Sequence, residues 1–282
     1  MRFLTRPEGP GEGITPPLRD LRVDAVGVRC VSGLPGFAVP PQRVHDGFLV
    51  DIARKNQIAA GLAEVEKRIA EACRAAGRPR EEVTLIAVTK TYPAEDVRIL
   101  AGLGVTEVGE NRDQEAADKA LACADLPLTW HFVGQLQTNK VRSVVGYADL
   151  VHSVDRSRLV AAIGREAVRA EREIGCLVQV ALDDDPGRGG ARPADVLGLA
   201  DEIAATEGVR LGGLMAVAPL GEEPGKAFAR LRDLALAVQA GHPGATIISA
   251  GMSGDLAEAV AHGATHVRVG TALLGRRKPF VR

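Results

Sequence analysis

The chain has 282 residues, of which 46% are hydrophobic and 25% charged, which is enough apolar material for one large core. A formal net charge of -1 and an aromatic content of 3% argue against nucleic acid as a partner, because nucleic-acid-binding proteins use basic surfaces and stacking rings. The four cysteines form no CxxC pair, the first residues lack a signal peptide's apolar core, and no apolar run could span a membrane. We therefore expect a cytoplasmic protein without a disulfide framework, a zinc site or a membrane partner.

The first part of the chain, residues 1–47, differs in composition from the rest. Seven of the 16 prolines fall in it, interleaved with glycines, and no helical or strand period persists for more than a few residues. This composition predicts a flexible extension, followed by one domain over residues 48–282.

An amphipathic helix is predicted next. Apolar residues recur at spacings of three and four over Ile58, Leu62, Val65, Ile69 and Cys73. Gly77 and Pro79 supply the signal that ends a helix.

The remaining chain alternates between short apolar runs and helical patterns. Strands are predicted at 84–90, 106–108, 129–133, 150–152, 177–182, 211–217, 246–249 and 265–269. Helices are predicted at 94–103, 113–123, 139–146, 157–173, 193–207, 225–240 and 255–262. This repeat predicts the α/β class and a single (β/α)8 TIM barrel with an extra N-terminal helix. The alternative, an open doubly wound sheet, would normally carry a G-x-G-x-x-G fingerprint after its first strand, and none is present.

Lys90 ends the first predicted strand, at the barrel edge where active sites collect. Partial burial there would favour the neutral amine, which can attack an aldehyde and form a Schiff base. The alternative is a lysine whose ammonium group simply reaches solvent at a strand end.

The two last strands end in turns suited to phosphate. Ser249 to Asp255 follows the seventh strand with Gly251 inside it, and Gly270-Thr271 follows the eighth. Loops after strands seven and eight are the usual phosphate site of such barrels. The alternative is an ordinary helix start capped by Ser253.

A lysine that reacts with aldehydes, opposite a phosphate site, suggests pyridoxal 5′-phosphate (PLP) or a phosphorylated sugar. Arg268 lies two residues before Gly270, so strand alternation puts both on one face. A guanidinium facing a pyridine nitrogen would keep that nitrogen unprotonated and make the ring a poor electron sink. Pairing of Arg268 with a carboxylate is the other interpretation.

Several longer motifs resemble one family. They are Ala87-Val-Thr-Lys-Thr91, Gly109-Glu-Asn111, Gln114-Glu115, the block from Trp130 to Lys140, His152-Ser-Val-Asp155, Gly213-Leu-Met215, Gly251-Met-Ser-Gly-Asp255 and Val267-Arg-Val-Gly-Thr271. Together they resemble the YggS/PROSC pyridoxal phosphate homeostasis proteins, relatives of the barrel domain of alanine racemase. The resemblance runs from about Asp51 to Arg276.

The resemblance implies a barrel that holds PLP as an aldimine of Lys90. By carry-over, Ser249, Gly251, Gly270 and Thr271 would bind the phosphate, and Arg268 would face the pyridine nitrogen. Asn111, His131 and Met215 would line the pocket. The family implies a monomeric, non-catalytic carrier or regulator of PLP and amino-acid pools, with PLP-dependent apo-enzymes as candidate recipients.

The chain departs from the family pattern at three places: Arg112 after Gly-Glu-Asn, Arg188-Gly189 after strand five, and Ser249-Ala250 before Gly251. The extension ahead of Asp51 also has no counterpart in the family.

Two other functions remain open at the level of sequence. A PLP-dependent racemase needs acid/base groups on both faces of the substrate carbon. The sequence positions of Tyr92 and Tyr147 do not indicate that either one is the second base. A class I aldolase would use the Schiff-base lysine together with a second lysine or a carboxylate. No carboxylate is spaced to join His131 and His152 as metal ligands, so no metal is expected.

Overall fold

The computed structural model describes residues 42–183 and 189–275, with side chains from Ile52 onward. Most of the predicted extension, and Arg188, therefore lie outside the described residues. The first helix, α1, begins at Gln42, ahead of the predicted domain start at residue 48.

Eight parallel strands form a closed barrel in the order of the sequence. They are β1 Thr84–Val88, β2 Glu107–Glu110, β3 Thr129–Phe132, β4 Leu150–Val154, β5 Ile174–Gln179, β6 Val209–Met215, β7 Ile247–Ser249 and β8 His266–Val269. The barrel closes where β8 pairs with β1, from Thr84 opposite His266 to Ala87 opposite Val269. The predicted (β/α)8 barrel is confirmed.

One helix precedes the first strand, and the other helices follow the strands in the sequence. They are α1 Gln42–Ala75, α2 Ala94–Gly102, α3 Asp113–Ala122, α4 Val141–Val145, α5 Ser157–Arg169, α6 Val196–Ala205, α7 Pro224–Gly241, α8 Leu256–Ala261 and α9 Thr271–Leu274. Short 3-10 turns occur at Arg80–Glu82, Thr138–Lys140 and Pro193–Asp195. Within the described ranges, no helix combines the length and the apolar character needed to cross a membrane.

The extra helix α1 packs where the barrel closes. Its predicted apolar positions Ile58, Val65 and Ile69 are buried in one cluster with residues of β1, β8 and α9. A Cβ atom at Gly61 would lie 2.3 Å from the carbonyl oxygen of Leu273, so glycine permits the close approach of α1 to α9. The helix thus covers β1 and β8, the strands that lead to Lys90 and to Gly270-Thr271.

Candidate functional site

A cavity of about 450 Å³ opens at the carboxyl ends of the strands. Six of the nine predicted site residues line it: Lys90, Asn111, Met215, Arg268, Gly270 and Thr271. The structure places Ser249, Gly251 and His131 beneath the lining, since each is buried and none forms the cavity wall. The volume is within the range of small-molecule sites, which runs from about 300 to 1,000 Å³.

Lys90 stands in a turn at the edge of this cavity. Strand β1 ends at Val88, and Thr91 has a φ of 73°, a left-handed conformation that side chains other than glycine rarely adopt. The Lys90 residue is exposed, so the predicted partial burial is wrong. Lys90 also borders a second cavity of about 300 Å³, which shares Gly270 and Thr271 with the first.

Arg268, on the strand β8 that pairs with β1, forms a buried part of the cavity wall. Its Nη1 donates to the Ser249 carbonyl oxygen at 2.8 Å and to the Ser249 Oγ at 2.6 Å, and Nη2 donates to the Ala216 carbonyl oxygen at 3.0 Å. Burial lowers the pKa of Arg268 to about 10, against a raising effect of Asp255, so the guanidinium is charged at neutral pH. Because these partners are carbonyl and hydroxyl oxygens, the predicted alternative of a carboxylate partner is not what holds the side chain.

A buried hydrogen-bond chain continues from Arg268 through the barrel interior. Ser249 Oγ lies 3.0 Å from His152 Nδ1, His152 Nε2 lies 2.8 Å from His131 Nδ1, and His131 Nε2 lies 2.6 Å from Glu107 Oε2. Together with the Arg268–Ser249 hydrogen bond, these contacts connect the guanidinium to the Glu107 carboxylate, and each histidine uses both of its ring nitrogens. Burial holds the pKa of His152 well below its ordinary range, aided by His131 and Arg268, which favours its neutral form. Ser249 and His131 therefore orient Arg268 rather than face the cavity.

The two predicted glycines serve different purposes. Gly251 has a φ of 89°, and a Cβ atom there would lie 2.6 Å from the Cβ of Ala259 in α8. Gly270 lines the cavity, and a Cβ atom there would lie 3.0 Å from the Val88 carbonyl oxygen. Gly251 thus shapes the turn after β7, whereas Gly270 lets β8 pass close to β1 at the cavity wall.

Ser253 and Gly254, in the same turn, also line the cavity, and the sequence had suggested only a capping role for Ser253. That cap is not formed; instead the Asp255 carboxylate accepts a hydrogen bond from the Met252 amide at 2.6 Å. Arg68 of α1 donates to the Ser253 carbonyl oxygen at 2.5 Å, which holds the turn from behind. The Gly-Met-Ser-Gly-Asp pattern was the sequence signal for both residues.

The lining fits a flat, anionic molecule that carries an aldehyde. The buried Asn111 Oδ1 has no hydrogen-bond partner among the described residues, so it is a polar atom available to a ligand. Val88, Val133 and Met215 supply apolar walls for a ring, and Lys90 and Arg268 supply an amine and a cation. Among the described residues, no group of three or more His, Cys, Asp or Glu side chains could hold a metal ion.

The chain is similar to a domain family and to individual proteins. Residues 61–278 match the family model described as the alanine racemase N-terminal domain. The "Pyridoxal phosphate homeostasis protein" of Corynebacterium glutamicum is 45% identical over 207 residues, 71% of this chain and 93% of that protein. The protein of the same name from Pseudomonas aeruginosa is 41% identical over 223 residues, 78% of this chain and 96% of that one. The structure of PipY from Synechococcus elongatus with PLP bound is 40% identical, with a TM-score of 0.66 over 73% of this chain and 100% of that chain.

Proposed function

Because the chain belongs to the YggS/PROSC family of pyridoxal phosphate homeostasis proteins, we propose that it binds PLP in the cavity at the barrel mouth. Its role is that of a carrier or regulator of PLP and amino-acid pools in the cytoplasm. The observation that carries the proposal is the placement of Lys90 and Arg268 around one cavity, together with the glycine and hydroxyl groups of the last two turns. The PLP-bound PipY structure, at 40% identity, supports the same choice of ligand.

Lys90 would hold the cofactor covalently. Its Nζ would form a carbon–nitrogen double bond with the aldehyde carbon of PLP, and the aldehyde oxygen would leave as water. Ser253, Gly254, Gly270 and Thr271 would surround the phosphate. These groups lie on the turns after β7 and β8, where barrels of this type usually bind phosphate.

Arg268 would face the pyridine nitrogen. Three of the five N–H donors of its guanidinium are used by the oxygens of Ser249 and Ala216, which leaves donors for a ligand. A charged guanidinium disfavours protonation of the nitrogen opposite it, so the ring withdraws electrons poorly. This arrangement suits storage of the cofactor better than chemistry at a substrate carbon.

The lining also favours a carrier over an enzyme. Lys90 and Arg268 are the titratable side chains among the described residues that line the cavity. Tyr92 lines the second, smaller cavity beside Lys90, where its hydroxyl donates to the Gly275 carbonyl oxygen, and Tyr147 lines a different cavity between α3 and α4. Racemisation would need a second acid/base group, and a class I aldolase would need a proton shuttle beside the lysine. This lining supports binding of PLP without catalysis, and we propose a monomer that delivers the cofactor to apo-enzymes.

An absorbance experiment tests the proposal. The protein reconstituted with PLP should show a band near ~420 nm that borohydride bleaches, as a lysine aldimine does. Lys90→Ala should lose the band and the mass increase that follows borohydride treatment, whereas Lys67→Ala, which removes an exposed lysine of α1, should keep both. A bleachable band in Lys90→Ala would contradict the proposed attachment, and robust amino-acid racemisation by the wild type would contradict the carrier role.

A further inference from the structure

Beneath the Lys90 turn lies a buried ion cluster that is not part of the cavity wall. Lys119 of α3 is 5% exposed, and it forms ion pairs with Glu110, which is 0% exposed, and with Glu115. Replacing a buried ion pair by apolar side chains often costs a protein no stability, so stability alone is a weak reason for such a cluster. Its contacts indicate another purpose.

The cluster holds the peptide on the amino-terminal side of Lys90. Lys119 Nζ donates to the Thr89 carbonyl oxygen at 2.8 Å, and the Thr89 hydroxyl donates to Glu110 Oε1 at 2.6 Å. Both the backbone and the side chain of the residue before Lys90 are therefore fixed by buried, charge-assisted hydrogen bonds.

The same cluster holds the peptide on the carboxyl-terminal side. The Thr91 amide donates to Glu115 Oε1, the oxygen that lies 3.5 Å from Lys119 Nζ. Thr91 is β-branched and has a φ of 73°, a conformation that persists only where the surroundings enforce it. The hydrogen bond that Thr91 donates to Glu115 helps to enforce this conformation, and backbone strain of this kind is typical of functional sites.

We propose that Lys119, Glu110 and Glu115 are positioning residues for Lys90: they fix both flanking peptides and thereby hold the Lys90 amine where it meets the aldehyde. A lysine side chain has four flexible methylene groups, so its amine can be placed reproducibly only if its Cα is fixed. Orientation of the reacting atoms accelerates bond formation without any contact between the positioning groups and the ligand. The inference rests on the proposed function, because it concerns the reaction of Lys90 with PLP.

Glu115 offers the cleanest variants, since its side chain is 29% exposed and its removal leaves Glu110 paired with Lys119. Glu115→Ala removes the acceptor for the Thr91 amide, whereas Glu115→Gln keeps an oxygen that can accept it. Glu66→Ala is the matched control, because Glu66 accepts hydrogen bonds from Arg80, away from the cavity. A double variant, Lys119→Met with Glu110→Gln, removes the other half of the cluster without leaving a buried charge unpaired.

Three quantities should be measured for each apo-protein: the rate at which borohydride-trappable PLP accumulates on the chain, the Kd of pyridoxine 5′-phosphate, and the Tm. Pyridoxine 5′-phosphate has the ring and the phosphate but an alcohol in place of the aldehyde, so it reports on the cavity alone. Glu115→Ala and the double variant should slow trapping at least tenfold with Kd within about twofold of wild type, whereas Glu115→Gln and Glu66→Ala should trap at close to the wild-type rate.

The outcomes separate this inference from the proposed function. If wild type traps no PLP, or Lys90→Ala traps as much as wild type, the proposed function fails. If wild type traps PLP at Lys90 but Glu115→Ala traps it equally fast, the positioning role fails. Equal slowing in Glu115→Ala and Glu115→Gln would also overturn it, because charge and not the hydrogen bond to Thr91 would then matter.

Discussion

Some residues near the cavity are needed for the stability of the fold and others for contact with a ligand. Gly251 belongs to the first group. Its φ of 89° and the 2.6 Å approach of a Cβ atom to Ala259 predict that Gly251→Ala lowers the free energy of unfolding by about 2–4 kcal/mol. Gly254→Ala is the control, because a Cβ atom there has no neighbour within 4 Å, and it should change stability by less than about 0.5 kcal/mol. Urea denaturation of both variants measures the difference; equal stabilities would show that the turn after β7 relaxes freely.

The residue scale also shows what the sequence could not predict. Strand alternation correctly placed Arg268 and Gly270 on one face, and both line the cavity. The chain from Ser249 through His152 to His131 was not foreseen, because it depends on side chains from separate strands meeting across the interior of a closed barrel. The exposure of Lys90 was missed because the strand pattern continues to residue 90, whereas the strand itself ends at Val88.

Among the elements, α1 supports the site from outside the barrel. Arg68 reaches the Ser253 carbonyl oxygen, in the turn proposed to surround the phosphate. We expect Arg68→Met to weaken binding of pyridoxine 5′-phosphate by at least about tenfold, since one charge-assisted hydrogen bond contributes about 1.5–3 kcal/mol, and to weaken binding of unphosphorylated pyridoxine much less. Isothermal titration with both ligands measures this.

The control for this experiment is Arg78→Met. Arg78 also donates to backbone carbonyl oxygens, those of Val260 and Ala264, but at the far end of α8. It should leave both affinities unchanged. If Arg68→Met lost affinity for both ligands to the same extent, α1 would support the whole cavity and not the turn after β7 in particular.

Element boundaries were less predictable than element types, for identifiable reasons. Helix α5 was predicted to run to Glu173 but ends at Arg169. Glu171 takes a φ of 53°, and the Arg172 amide returns to the Ala167 carbonyl oxygen at 3.0 Å. A glycine usually signals such an ending, and none is present there. Strand β5 begins at Ile174 and not at residue 177, because Ile174 and Gly175 pair with β6 even though the glycine interrupts the apolar pattern.

At the scale of the whole molecule, the half-buried His266 and the buried His152 predict sensitivity to acid. Burial lowers the pKa of His266 to about 4, with a further lowering by His131 and an opposing effect of Glu107. The unfolded chain therefore binds more protons than the folded one below its ordinary pKa of about 6.5. Stability is complete above that pH and falls as the pH drops toward about 4, by on the order of 3 kcal/mol for this one group. His152, whose pKa burial also lowers, acts in the same direction.

Chemical denaturation between pH 7 and pH 4.5 measures this loss. His266→Gln should make the free energy of unfolding depend less steeply on pH, because glutamine, unlike histidine, has no proton to release on folding. His242→Gln should not, because His242 pairs with the exposed Asp201 on the surface. Identical slopes for wild type and His266→Gln would mean that other groups govern the response to acid.

The pairing of β8 with β1 has a consequence for when the cofactor cavity forms during synthesis. Lys90 follows the first strand and Thr271 follows the last, so the two halves of the cavity are made at opposite ends of the barrel sequence. A ribosome must synthesise nearly the entire barrel before Lys90 and the turn proposed to bind the phosphate can form one cavity. Truncated chains and stalled nascent chains would then bind no PLP. Retention of the cofactor would therefore distinguish complete molecules from incomplete ones.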